Sequence, residues 1–164
     1  MNKTVLAMLV VVVCIGLSAT AYAGQVGTSF VVNATVIEAC TVSALGVDFP
    51  AFDGITDVRA AGGVTVNCPT GVDYTIALDG GLNYSGIRAM SNGVDTLNYG
   101  LLQPSPPGGP WGDAGTAAAT NGWLPVSDTG NGLDQPHVVS GIVYGSQSVS
   151  TGDYSDTINV TVYY

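Results

Sequence analysis

The sequence predicts an all-β domain, a sandwich with Greek-key connections, and three observations predict it. Segment after segment alternates apolar and polar residues with period two. Glycine is abundant, valine, threonine and tyrosine are common, and no long stretch carries the 3.6-residue period of a helix. Turn-forming residues recur between the alternating segments.

Taken in order, Val26, Thr28, Phe30, Val32, Ala34 and Val36 form one stripe. Cys40, Val42 and Ala44 continue on even positions. Val64, Val66 and Cys68 predict a short strand with Thr65 and Asn67 on its other face. Val72, Tyr74, Ile76 and Leu78 predict the next, with Asp73, Thr75 and Asp79 opposite and a turn at Asp79-Gly80-Gly81. Residues 97–102 and 138–144 predict two more, the second apolar on both faces. Ile158, Val160, Val162 and Tyr164 alternate with Asn159, Thr161 and Tyr163 in the last. Four prolines and two glycines in residues 103–111 exclude a central strand there. Residues 120–136, rich in Gly, Asn and Asp, read as a loop, and Ala117-Ala118-Ala119 is too short to be a helix. About six strands result, with no internal repeat.

Residues 1–23 read as a signal peptide. Lys3 gives a positive start, residues 5–17 are an apolar run too short for a comfortable span, and Ala21-Tyr22-Ala23 fits the small-x-small cleavage rule. A retained anchor is the competing reading. Beyond the leader there is no lysine, and Arg59 and Arg88 stand against twelve carboxylates, a formal −10. Neutralising phosphate needs cations, so nucleic acid and anionic membranes are excluded as partners. The acidity reads as solubility outside the cell.

Cys14 leaves with the leader, and Cys40 and Cys68 remain. A single pair in an exported chain is most simply a disulfide, and both cysteines lie on the apolar stripes of their strands. For a loop of roughly 30 residues the chain-entropy account gives about 3–4 kcal/mol. Two buried free thiols are the alternative.

At this point the chain resembles the spore coat protein U domain family, which overlaps the major subunits of archaic chaperone–usher pili. The resemblance rests on an ordered set. It runs through Ser29-Phe30-Val31-Val32, Cys40-Thr41-Val42, Val64-Thr65-Val66-Asn67-Cys68 and Tyr74-Thr75-Ile76-Ala77-Leu78-Asp79-Gly80-Gly81. It continues through Arg88-Ala89-Met90, Leu97-Asn98-Tyr99, Trp111-Gly112, Tyr144-Gly145 and Gly152-Asp153-Tyr154-Ser155-Asp156-Thr157 into Val160-Thr161-Val162. One departure is the Pro/Gly loop at 104–110, where the family usually has a longer polar stretch.

The resemblance implies an incomplete immunoglobulin-like, pilin-type sandwich lacking its last strand. It implies a leader over 1–23, a donor-strand extension over 24–37 and a sandwich over 38–164. Val26, Thr28, Phe30, Val32, Ala34 and Val36 would be the donor residues, inserted into the next copy by strand addition. It also implies a periplasmic chaperone, an outer-membrane usher and display on the cell surface as a fimbria or coat. Tyr163 and Tyr164, which close the last strand, would serve chaperone recognition. An ordinary first strand in a self-complete sandwich is the alternative reading of the stripe.

Signals for chemistry are weak. His137 is a lone histidine beside Pro136 and reads as structural. No Gly-x-Ser-x-Gly elbow is present, and no His/Cys spacing suits a metal. Residues 128–134 look like a calcium loop, but Gly130 and Gly132 occupy ligand positions 3 and 5 and Val139 occupies position 12, so a polar surface turn is expected. Asp153 and Asp156 imitate a glycosidase pair and read instead as turn residues. The expectation is therefore a non-enzyme without cofactor or metal. The alternative function is a secreted carbohydrate-binding or adhesin domain, with Trp111 and Trp123 stacking on sugars; their other reading is as caps on the ends of the core.

Overall fold

A computed structural model describes residues 24–35, 37, 39–104, 108–113 and 122–164. The chain divides into two units, Met1–Thr35 and Val36–Tyr164.

In the first unit, the described residues 24–35 form no strand, and Val26, Phe30, Val31 and Val32 are exposed. Alternation decides which side of a strand is buried, but a strand exists only where its backbone finds a ladder partner. Val36, the last residue of the expected stripe, lies outside the described residues.

The second unit is all-β, with eight strands among its described residues. They are β1 (Thr41–Leu45), β2 (Val58–Asn67), β3 (Asp73–Leu78), β4 (Arg88–Ser91), β5 (Thr96–Leu102), β6 (Val126–Thr129), β7 (Gln135–Val143) and β8 (Val160–Tyr163). They make two antiparallel sheets, a five-stranded one ordered β1-β2-β7-β5-β4 and a three-stranded one ordered β6-β3-β8. The expected inward stripes are where the core lies. Val64, Val66 and Cys68 face Tyr74, Ile76 and Leu78, with Leu97, Tyr99, Leu101, Val139 and Val143 filling the space between. The disulfide joins Cys40 to Cys68.

Three elements differ from expectation. β6 lies inside residues 120–136, which read as loop. Its sequence is polar because the strand is held by hydroxyls on its outer face, Thr129 Oγ1 donating to Asp73 Oδ1 at 2.6 Å and Thr75 and Ser127 paired at 3.0 Å. Only its Val126 packs on the core. β7 begins at Gln135 and so contains Pro136. The proline is tolerated because β5 pairs only with residues 140–143 of β7, which leaves this end of the strand locally an edge. β2 reaches back to Val58 through Gly62-Gly63, which broke the alternation.

Two glycines explain how the chain leaves β1. A Cβ on Gly62 would lie 2.8 Å from Val47 Cγ2, and one on Gly141 would lie 2.6 Å from Val47 Cγ1 and 2.7 Å from Phe49 Cζ. The segment after β1 therefore presses directly onto the five-stranded sheet, where no side chain leaves room. Residues 128–134 become the end of β6 and a tight turn. Gly130 packs against Cys68, Asn131 Oδ1 accepts from Leu133 N, and Asp134 Oδ1 accepts from Asn67 Nδ2 at 2.9 Å.

His137 bridges the sheets from β7. Its Nε2 lies 2.9 Å from the Tyr74 hydroxyl and 3.8 Å from Asp128 Oδ2. Burial holds the imidazole below its ordinary value of 6.5, and the Asp128 carboxylate pulls the other way. The native protein then binds fewer protons here than the unfolded chain, so stability is complete above about 6.5 and declines as pH falls below it. The melting temperature is expected to drop between about pH 7 and 5, and His137→Gln to flatten that limb; an unchanged slope in the variant would remove His137 from the account. Gly141→Val is expected to cost about 1–3 kcal/mol, read as a lower urea midpoint, because the new side chain would push Val47 and Phe49 off the sheet they pack on.

Candidate functional site

The two sheets do not match in width, and the mismatch leaves a cleft. On β1, Val42 and Ala44 stand opposite Val66 and Val64 in the ladder and so face inward. Val66 is fully buried, yet Val42 is 46% exposed. Nothing described covers the inward face of β1, because the three-stranded sheet ends at β8. The inward residues of β8, Val160 and Val162, and Ile158 before it, are likewise packed on the core on one side and half-buried overall.

Between these edges lies an opening of about 360 Å³. Its floor is core: Val64, Leu78, Tyr99, Leu101 and Val139. One rim is Ala44, Val47 and Phe49, and the other is Ile158 and Val160. Phe49 meets the Tyr99 ring edge-on, with centroids 6.4 Å apart. Asp156 closes one end, accepting from Tyr99 Oη at 2.7 Å and from Leu82 N at 2.9 Å. Burial, reinforced by Asp156, pushes the Tyr99 phenol far above its ordinary range, so it stays a neutral donor.

Both rims carry unused backbone. Among the described residues, residues 46–53 make no backbone–backbone hydrogen bond, and β8 is paired on its β3 side only. Unpaired N–H and C=O groups flanking an apolar trough form a template for an added strand. Among the described residues no three His, Cys, Asp or Glu side chains are grouped to hold a metal.

The sequence-derived site residues fall as follows. Tyr163 lies on β8 with its side chain outward and 52% exposed, away from the inward Val162, and Tyr164 is exposed beyond it. Asp156 is engaged in the contacts above, and Asp153 is exposed with no hydrogen-bond partner among the described residues. The sugar-stacking reading of Trp111 is corrected. Its ring is fully buried, and its Nε1 donates to the Ile76 carbonyl at 2.9 Å. Trp123 lies over the Arg88 guanidinium, 4.6 Å from ring centroid to Cζ, with Tyr84 edge-on to it.

Two features went unread in the sequence. One is the rim at Val47 and Phe49, whose signal is the change of parity at Gly46, where the even stripe of β1 gives way to odd positions. The other is Arg88. It is fully buried on β4, and its Nε and Nη2 donate to the carbonyls of Leu78 and Asp79 at the end of β3. It therefore fastens the two sheets together beside the cleft, with Nη1 unpartnered among the described residues. Burial lowers its pKa from the ordinary value.

Arg88→Lys is expected to lower the denaturation midpoint by the equivalent of about 2–4 kcal/mol, since one ammonium cannot reproduce a planar fork between two carbonyls. An unperturbed midpoint would count against the clamp.

Comparison with known proteins bears on the whole unit. The Spore Coat Protein U domain profile matches residues 27–161. No curated protein sequence matches. Among solved structures, the fold is similar to a chain in the crystal structure of the CsuC–CsuE chaperone–tip adhesion subunit pre-assembly complex from archaic chaperone–usher Csu pili of Acinetobacter baumannii. The TM-score is 0.57 at 22% identity, covering 79% of this chain and 40% of that one. The present chain thus spans less than half the length of the chain it matches.

Proposed function

The chain belongs to the spore coat protein U domain family, and we propose that it is a structural subunit of a cell-surface fimbria or coat, joined to its neighbours by donor-strand exchange. The open cleft carries this reading: an apolar trough with unpaired backbone on both rims is what an added strand requires.

The donor in this reading is the segment over 24–37 of another copy, with Val26, Thr28, Phe30, Val32, Ala34 and Val36 pointing into the trough. Burying Val26, Phe30, Val32 and Val36 at about 1.5–3 kcal/mol each gives roughly 6–12 kcal/mol. Roughly ten ladder bonds at about 1 kcal/mol each add a similar gross amount. Ordering the segment subtracts from both, yet the joint remains long-lived. Thr28 and Ala34, the small members, are where an exchanging strand would enter.

The rest of the proposal follows the same logic. A leader over 1–23 directs export. A periplasmic chaperone fills the cleft in transit, and an outer-membrane usher exchanges it for the next copy's extension. The likeness to a subunit solved with its chaperone supports the first of these partners. Tyr163 and Tyr164, exposed at the outer side of β8, are assigned to chaperone recognition. The assembled polymer would serve adhesion, biofilm formation or surface protection, with no enzymatic step.

The test is an unboiled denaturing gel of material sheared from the cell surface. A ladder that collapses to monomer on boiling is expected. Deleting residues 24–36 should abolish the ladder and leave chaperone binding intact; a truncated protein that still polymerised would disprove the donor assignment.

A further inference from the structure

The narrow sheet ends in two edge strands of equal length, β8 and β6. In the donor-strand reading only β8, beside the cleft, takes an incoming strand. An unprotected β6 would be an equal template. The two backbones differ in what is left to pair.

Hydrogen-bond alternation sorts the groups. Beside β8, Asp79 N donates to the Asn159 carbonyl at 3.1 Å, so odd residues face β3 and Ile158, Val160 and Val162 turn their backbone toward the cleft. The side-chain bonds nearby go to Thr157 N and Asn159 N and leave those groups free. At the end of β6, Gly130 N donates to the Val72 carbonyl at 2.7 Å, so even residues face β3 and Thr129 turns outward. Both backbone groups of Thr129 are taken. Its N–H donates to Asp128 Oδ1 at 2.8 Å, and Gln135 Nε2 donates to its carbonyl at 3.1 Å.

Gln135 reaches β6 from the other sheet. It stands opposite Val66 in the ladder of β2 and β7, so its side chain points inward, as that of the fully buried Val66 does. An amide is an unfavourable choice there, since its Oε1 is buried with no hydrogen-bond partner among the described residues. An apolar side chain in the same place would leave no such orphan. What the amide does, and an apolar residue cannot, is bond the Thr129 carbonyl. Its Nε2 also lies 3.4 Å from Asp128 Oδ2, so the two side chains that occupy this edge hold each other.

We propose that Gln135 and Asp128 guard the β6 edge and so decide which edge of the narrow sheet accepts a strand. With Thr129 occupied and a carboxylate on the strand, β6 refuses the matching edge of another copy, and joining is confined to the cleft. Copies then line up in single file. This inference rests on the donor-strand reading above, and the experiment separates the two.

Surface-sheared polymer is spun at low speed, where only side-joined clumps pellet, and the same sample is run unboiled on a denaturing gel. Gln135→Met keeps the length and the net charge and removes both the donor and the orphaned oxygen. It is expected to melt no lower than the unaltered protein, to leave the ladder intact and to raise severalfold the share that pellets. Gln135→Lys restores an N–H donor and is expected to stay in the supernatant, although it lowers the negative charge that keeps copies apart. Val126→Ala loosens β6 from the core without touching its edge and is expected to pellet no more than the unaltered protein. Pelleting indifferent to Gln135→Met overturns the inference. So does clumping of Gln135→Lys, or an equal rise in Val126→Ala, which would reduce the effect to a loosened fold. If the unaltered protein gives no ladder, it is the donor-strand reading that fails. The same three variants are then compared for self-association of the soluble protein by sedimentation velocity, with the same outcomes deciding.

Discussion

Five strands on one side of a core and three on the other cannot cover each other, and the remaining features of the molecule answer to that inequality. Where the narrow sheet stops at β8, the wide one continues through β2 to β1 with core residues beneath open space. A globular domain ordinarily removes such exposure by adding a strand or a helix. Here the segment after β1 covers only part of it, Val47 and Phe49 lying on Gly62 and Gly141. The rest stays open, with unpaired backbone along both edges.

A sandwich open on one side has less apolar burial to hold it, and the polar contacts inside it compensate at specific places. The disulfide ties the chain just ahead of β1 to the end of β2. Arg88 ties β4 to the last carbonyls of β3, and His137 ties β7 to Tyr74 on β3. Each joins the wide sheet to itself or to the narrow one. Buried charged and imidazole groups are costly unless well paired, and the cost falls here on spacers that keep two unequal layers in register.

Much of this was legible because period two records burial. Val64, Val66 and Cys68, then Tyr74, Ile76 and Leu78, alternate in the sequence and face the core in the structure. The pairing of Cys40 with Cys68 followed from counting and from stripe position. What was hidden depends on contacts distant in sequence. β6 is polar and short, and its partners Asp73 and Thr75 lie more than fifty residues earlier. The rim at Val47 and Phe49 has no ladder partner, so no strand pattern announced it beyond the parity change at Gly46. Arg88 binds carbonyls, which leave no mark in a sequence. The stripe from Val26 to Ala34 shows the converse: alternation is as regular there as anywhere, yet the described residues 24–35 form no strand. A pattern specifies the side to be buried and is silent about the edge that will pair.

The scarcity of basic residues has a consequence for endurance. Proteases that cut after lysine or arginine find two bonds beyond residue 23, those following Arg59 and Arg88. Both residues sit within strands, and Arg88 is wholly enclosed. A nick after Arg59 would fall between Cys40 and Cys68, so the severed ends would stay tethered through sulfur. In surroundings rich in digestive enzymes, such a chain would lose a peptide bond there without shedding a fragment.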